Sequence, residues 1–233
     1  MKMVWYEEYD FISNPFTIKP QEGYEDFYGQ KEAVKKISKV VNKGGFSLVY
    51  GPYGVGKTTV MKGIIDQFRG KRKVVYYNAY TSERRIDYDD ILVRGGSWLS
   101  TFFGIKSKDM ILLLDEAHNL MKADFEDLAD YYNEGYFKAV VLVTSWTKHI
   151  FPEEIERLIG DNRVELKMFS EADAVKLCQD RLEGVELMDT PLIKKVYKVS
   201  TTPRDFMMKC EEACRRAVER GAEKVADEDL EDL

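Results

Sequence analysis

Cysteine, histidine and long apolar runs are all scarce in this chain of 233 residues, which carries three cysteines and two histidines. Cys178, Cys210 and Cys214 cannot make a disulfide framework, and Cys210 and Cys214 fall on the apolar side of a helical pattern. They read as buried thiols, since no second cysteine pair and no nearby histidine completes a metal site. His118 and His149 show no metal-ligand spacing between them. The longest apolar stretches are only strand-length, and the segment from Met1 to Glu8 carries no apolar core of signal-peptide type. A soluble, cytoplasmic protein with no membrane partner is the expectation. Excess positive charge is missing too: the net charge is −6, which argues against a bulk electrostatic grip on nucleic acid. The acid is concentrated at the end. Glu223 to Leu233 holds six acidic residues and one lysine, so residues 1–222 are close to neutral and leave room for a local basic patch. The tail itself reads as a docking segment, a nucleic-acid mimic or a solvated helix end, the last being the plainest.

Hydrophobic residues make up 44% of the chain, enough to bury one large domain or a domain with a small appendage. One third is charged while glutamines number only four, a balance also seen in heat-adapted proteins. The most informative stretch is Gly51-Pro52-Tyr53-Gly54-Val55-Gly56-Lys57-Thr58-Thr59, which fits G-x-x-x-x-G-K-[ST]. Phe46 to Tyr50 before it reads as a buried strand, and Val60, Met61, Ile64, Ile65 and Phe68 after it recur at helical spacing. Strand, loop, helix is the order a phosphate-binding loop requires. Its glycines let backbone N–H groups face phosphate oxygens at the positive end of a helix, Lys57 adds a point charge, and Thr58 offers a hydroxyl to Mg²⁺.

Ala33, Val34, Ile37, Val40 and Val41 share one helical face over residues 30–41, and Gly44-Gly45 stop that helix. Further strands are expected over Lys73 to Tyr77, Met110 to Leu114, Lys138 to Val143 and Val164 to Met168, with helical patterns between several of them. That alternation predicts an α/β fold: a phosphate-loop NTPase with a five-stranded parallel sheet sandwiched by helices. After Phe169 only helical patterns follow, over Glu171 to Leu182, Pro191 to Val199 and Arg204 to Arg220. The expected division is therefore a nucleotide-binding domain over residues 1–169 and a small all-α lid with an acidic tail over residues 170–233.

Ile111-Leu112-Leu113-Leu114-Asp115-Glu116 is an apolar strand ending in two carboxylates, placed after the loop as its partner motif would be. Asp115 is the expected Mg²⁺ residue and Glu116 the group that orients and polarises the attacking water. A local base favours ATP hydrolysis over mere binding.

These motifs resemble the AAA+ ATPases, and later segments narrow the resemblance to the initiator and clamp-loader clade. Asn14-Pro15-Phe16 with Phe27-Tyr28-Gly29-Gln30 is similar to the segment that lies near adenine in that superfamily, which implicates Asn14, Phe16 and Tyr28. Ser145 ends a strand where the family's first sensor stands. Asp161-Asn162-Arg163 resembles the segment whose arginine completes a neighbouring subunit's site, with Arg157 as the second choice. Ser200 to Phe206 resembles the second-sensor segment with Arg204 in the arginine position, although the usual Gly-Asp is missing; Pro203 suits the first turn of a helix there. The resemblance runs from about Asn14 to the end and implies ATP and Mg²⁺ as cofactors and an ATP-dependent homo-oligomer. Initiators of this kind carry a winged-helix domain after the lid, and none is expected here, which suggests a compact core of the sort found in archaeal viruses, plasmids and transposition systems.

Two roles follow from the resemblance: a DNA-binding assembly factor in replication initiation or transposition, or a protein-directed switch that acts on a partner protein without touching DNA. For DNA, the segment with Arg84, Arg85, Arg94, Gly95, Gly96, Ser97, Trp98, Phe102 and Phe103 mixes basic and aromatic residues near glycine. The same Trp98, Leu99, Phe102 and Phe103 also fit a helix face packed on the core. Asp115 to His118 spells the Asp-Glu-Ala-His of a helicase class, but one core of this length cannot supply paired motor domains.

Overall fold

The computed structural model describes residues 4–18, 28–81, 85–94, 105–145 and 151–233. The chain forms two compact units: residues 31–53 and 57–166 make one, and residues 1–30, 54–56 and 167–233 the other.

The first unit is a five-stranded parallel sheet. Its strands are β1 (Gly45–Tyr50), β2 (Val74–Asn78), β3 (Met110–Asp115), β4 (Phe137–Thr144) and β5 (Arg163–Glu165), in the order β2-β3-β4-β1-β5. β3 and β4 are continuous Ile, Leu and Val runs because both of their faces are covered. Leu48, Leu112, Leu114, Val140 and Leu142 face one way, onto α3 (Tyr88–Arg94), α4 (Lys122–Asn133) and α5 (Glu153–Ile159). On the sheet's other side α1 (Lys31–Lys43) packs on β1 and β4, and α2 (Lys57–Phe68) packs on α1. In α1, Ala33, Ile37 and Val41 recur every fourth residue and are buried. The helix stops at Gly44, whose φ of +84° suits the left-handed backbone that ends helices. The β5 edge is blunted by shortness, since that strand has only three residues.

β5 departs from the expected Val164 to Met168. It starts at Arg163, and the last sheet bond is the Leu166 N–H donating to the Tyr50 carbonyl at 2.8 Å. Met168 and Phe169 then serve the core of the other unit, so their apolar character reflects a different destination from the sheet.

The second unit holds α6 (Glu171–Arg181), α7 (Thr190–Val199) and α8 (Pro203–Glu219). Ala174, Leu177, Ile193, Val196 and Phe206 form its centre together with Trp5 and Phe16 from the N-terminal segment. Cys178, Cys210 and Cys214 are free and buried in the same core, as expected, and burial pushes the Cys210 and Cys214 thiols well above their ordinary range. The acidic tail differs from a solvated helix end. Val225 is buried and its N–H donates to Leu187, and Asp229, 3% exposed, accepts from Arg220 Nη2 at 2.8 Å. Apolar Val225, Leu230 and Leu233 give the tail a reason to fold back that its charge conceals. Among the described residues, no helix is long and apolar enough to cross a membrane.

Candidate active site

The strand order places a crevice beside β1. The chain passes from β1 outward to β2 at one edge, and from β4 across to β5 at the other, so connections diverge where β1 and β4 lie side by side. Ligands of open parallel sheets bind beyond the carboxyl ends of strands at such a point. In register, Tyr50 of β1 stands beside Thr144 of β4, and Leu142 of β4 beside Leu114 of β3. The segments leaving these three neighbouring ends begin with Gly51, Ser145 and Glu116, the last directly after Asp115.

In the sheet unit, Lys57 opens α2 at the helix's positive end and is 8% exposed. Its ammonium donates to the carbonyls of Gly51 at 2.9 Å and Pro52 at 3.1 Å. Burial lowers its pKa, opposed by the charges of Glu116 and Asp115. Thr58 and Thr59 follow in the first turn, with Thr58 exposed. In the helical unit, Gly54 and Gly56 have φ of +81° and +101°, values that L side chains rarely adopt. A Cβ on Gly54 would meet Arg204 Cβ at 2.8 Å, and the Arg204 N–H donates to the Gly54 carbonyl at 3.1 Å. Val55 is buried, and its carbonyl accepts from Gln30 Nε2 at 2.8 Å. In the sheet unit, a partly desolvated ammonium at a helix N-terminus fits a phosphate group.

Asp115 is 6% exposed and accepts from the Tyr76 hydroxyl at 3.0 Å and from the Glu116 N–H at 2.9 Å. Burial raises its pKa against those hydrogen bonds, and the Tyr76 phenol is pushed up to about 12 by burial and by Asp115. A buried carboxylate with its charge poorly compensated fits a divalent cation, with the Thr58 hydroxyl as a second oxygen donor.

Glu116 breaks the strand with φ 52° and ψ 40°, left-handed backbone uncommon for a residue with a side chain. The Asn119 N–H closes the next turn on the Glu116 carbonyl at 2.9 Å. The Ser145 hydroxyl lies 3.3 and 3.4 Å from the two Glu116 oxygens. His118 Nδ1 lies 3.4 Å from Glu116 Oε2 and is hydrogen-bonded to Thr144 Oγ1 at 3.1 Å. Sequence reasoning named Glu116 and Ser145, and it gave no role to Tyr76, Thr144 and His118, which the structure brings against these carboxylates and this strand end. The Asp-Glu-Ala-His string did flag His118, whereas Tyr76 sits in a plain apolar strand without any signal.

Arg163 is ion-paired to Glu156 of α5, and its Nε donates to the Gly160 carbonyl at 3.2 Å, while Arg157 of the same helix is exposed. Arg204 lies in the first turn of α8, after Pro203 at the first helical position. Phe16 is completely buried and stacked on Trp5, Asn14 accepts from the Phe16 N–H at 2.9 Å, and Tyr28 donates to Asp180. Arg85 pairs with Asp127 at 2.6 Å and Arg94 with Asp90 at 2.7 Å. Phe27, Arg84, Gly95, Gly96, Ser97, Trp98, Leu99, Phe102, Phe103 and His149 lie outside the described residues.

Curated proteins give no match to this sequence. Among solved structures, the Thermotoga maritima RuvB Holliday junction branch migration motor is similar with a TM-score of 0.69 at 19% identity, over 90% of this chain and 70% of that one. Cdc6p from Pyrobaculum aerophilum gives 0.66 at 13% identity, over 92% and 68%. The Aeropyrum pernix Orc1 protein, solved in complex with DNA, gives 0.67 at 17% identity, over 90% and 66%. At these identities the likeness establishes the fold. The family model for the AAA domain matches residues 44–171, more than half of the chain and all five strands. With the phosphate loop and the Asp115-Glu116 strand end inside that match, the chain belongs to the AAA domain family and is an ATPase.

Proposed function

We propose that this protein is an initiator-type AAA ATPase that couples ATP binding and hydrolysis to a DNA-bound assembly in replication initiation or transposition. The observation that carries the catalytic part is the convergence of Asp115, Glu116 and Ser145 at the carboxyl ends of neighbouring strands, with Lys57 at the start of the helix after β1 close enough to feel both carboxylates. Residues 51–59 would hold the phosphates, and Thr58 and Asp115 would hold Mg²⁺, whose charge would offset that of the phosphate oxygens. Glu116 accepts a proton-side hydrogen bond from the attacking water, and Ser145 keeps the carboxylate turned to that task. Arg204, held beside Gly54, is assigned to sensing the outer phosphate. The segment around Asn14, Phe16 and Tyr28 contributes on the adenine side through its backbone, because Phe16 is buried and the Asn14 carboxamide caps its own turn.

Glu116→Gln tests this directly: ATP should remain bound while hydrolysis falls about 100-fold or more. Turnover at the parent rate by that variant would remove Glu116 from the mechanism. We further assign Arg163 to a neighbouring copy's ATP in a homo-oligomer, which requires it to exchange its Glu156 partner; Arg157 is exposed and has no ion pair among the described residues. Comparing Arg163→Ala with Arg157→Ala at high protein concentration decides between them. The one that leaves ATPase activity intact is not the shared residue.

The DNA part is supported by the fold shared with the branch migration motor and the DNA-bound Orc1 protein. A protein-directed switch is the second reading, favoured by the engagement of Arg85 and Arg94 in ion pairs within their own chain. Salt-dependent DNA binding with and without ATP, in the parent and in Arg94→Ala and Trp98→Ala variants, separates the two. Absence of binding at low salt sinks the DNA reading.

A further inference from the structure

The strand-end glutamate is gripped from two sides, and the Ser145 side alone does not account for the geometry. Glu116 sits in left-handed backbone at the end of β3, and the short turn Ala117–Asn119 that follows brings His118 back toward it. His118 Nδ1 is 3.4 Å from Glu116 Oε2 and 3.1 Å from Thr144 Oγ1. The side chains of His118 and Glu116 are 16% and 23% exposed, so neither sways freely in solvent, and Thr144 is fully buried at the end of β4. Thr144 therefore anchors the imidazole to the sheet, and the imidazole limits where the glutamate can point.

We propose that His118 is a positioning residue for ATP hydrolysis, held by Thr144 and acting through Glu116. The inference rests on the assignment of Glu116 as the group that polarises water. A carboxylate on a short, strained turn has several rotamers, only some of which present an oxygen to a water on the phosphate side. Contacts from His118 and Ser145 restrict that choice, and restriction of a reacting group to its working geometry raises the rate of the step without strengthening substrate binding. The imidazole touches neither nucleotide nor metal in this scheme.

The experiment is a double-mutant cycle read by single-turnover hydrolysis and by nucleotide affinity. His118→Ala should lower the hydrolysis rate about tenfold or more and leave ATP affinity within about twofold. His118→Asn, whose amide nitrogen can occupy the place of Nδ1, should restore most of the rate. In the Glu116→Gln background the His118→Ala change should cost nothing further, because the group it positions is gone. Parent-like hydrolysis by His118→Ala overturns the inference, and so does an equal loss in both backgrounds, which marks a structural role. Should His118→Ala fail to fold, Thr144→Val, which keeps the side-chain volume, and His118→Asn carry the test: a rate loss of about threefold in the valine variant is expected, and none overturns the anchor. If Glu116→Gln itself turns over normally, the reading of Glu116 has failed; if it is silent while His118→Ala is normal, only this inference has failed.

Discussion

At the scale of single residues, the site depends on buried charges whose mutual attraction does not cancel the loss of solvent. Burial moves Lys57 down and Asp115 up, in each case against the pull of opposite charge nearby. Such a pair is a poor contributor to stability and a good receptor for ligands that supply the missing charge. A folded Asp115 pKa above the usual 3.8 means that the fold binds the proton more tightly than the unfolded chain, so the carboxylate weighs on the fold at neutral pH and is relieved as pH falls toward 3.8. Asp115→Asn should abolish hydrolysis yet unfold at the same temperature as the parent or higher at pH 7 without Mg²⁺, and the advantage should shrink on acidification toward about pH 4. Thermal unfolding of both proteins at the two pH values measures it. Gly54 gives a steric counterpart. Alanine there must adopt φ +81° with its Cβ 2.8 Å from Arg204 Cβ, which should cost about 1–2 kcal/mol in the loop conformation and weaken ATP binding roughly tenfold by equilibrium titration.

At the scale of elements, the important ends are the first turns of helices and the carboxyl ends of strands. α8 is started by Thr202, whose hydroxyl accepts from the Asp205 N–H at 3.1 Å, while Asp205 accepts from the Thr201 N–H at 2.8 Å. Pro203 and Arg204 follow inside this cap, so the side chain assigned to sense phosphate depends on it. Thr202→Ala should cost about 1 kcal/mol, a fall of roughly 2–4 °C in Tm, and should reduce ATP turnover, whereas Thr202→Ser should keep both. Differential scanning calorimetry with a phosphate-release assay tests this. The strand ends explain why Ser145 and Glu116, 29 positions apart in sequence, share a hydrogen bond: β3 and β4 are parallel neighbours and finish at the same edge. Parallel pairing puts successive strand ends side by side, which an antiparallel sheet would not do.

At the scale of the whole molecule, the chain's two ends contribute to the helical unit. Trp5 and Phe16 enter its core, and the tail closes over α8 through Asp229, Val225 and Leu230. Burial works against the Asp229 carboxylate, but hydrogen bonds from Arg220 and from the Ala226 N–H outweigh it and hold its pKa below the ordinary value. A depressed pKa contributes stability that is present above the unfolded value of 3.8 and is lost as pH falls through the folded one. Asp229→Ala should therefore destabilise the protein by about 2 kcal/mol at neutral pH, and the difference from the parent should vanish below that window. Urea unfolding at several pH values checks it, and a variant as stable as the parent at pH 7 would show that the tail's acid is ornamental.

Much of this molecule was legible from local pattern. Gly51 to Thr59 between an apolar strand and a helix, and Asp115-Glu116 at the end of another strand, could be located from sequence alone, because both motifs are contiguous in sequence. The alternation of apolar runs with helical spacing announced the parallel sheet for the same reason. What tertiary structure decided is who meets whom. Only strand order could bring Ser145 and Thr144 to Glu116, and only the left-handed turn at Glu116 could send His118 back to both. Phe16 packs in the core on Trp5, Arg163 pairs with Glu156 of the preceding helix, and Asp229 of the acidic tail accepts from Arg220, partnerships that no single periodic pattern displays. Short-range periodicity encodes elements, whereas contacts across the sheet and the helical core depend on loop-closing geometry that sequence spacing alone does not carry.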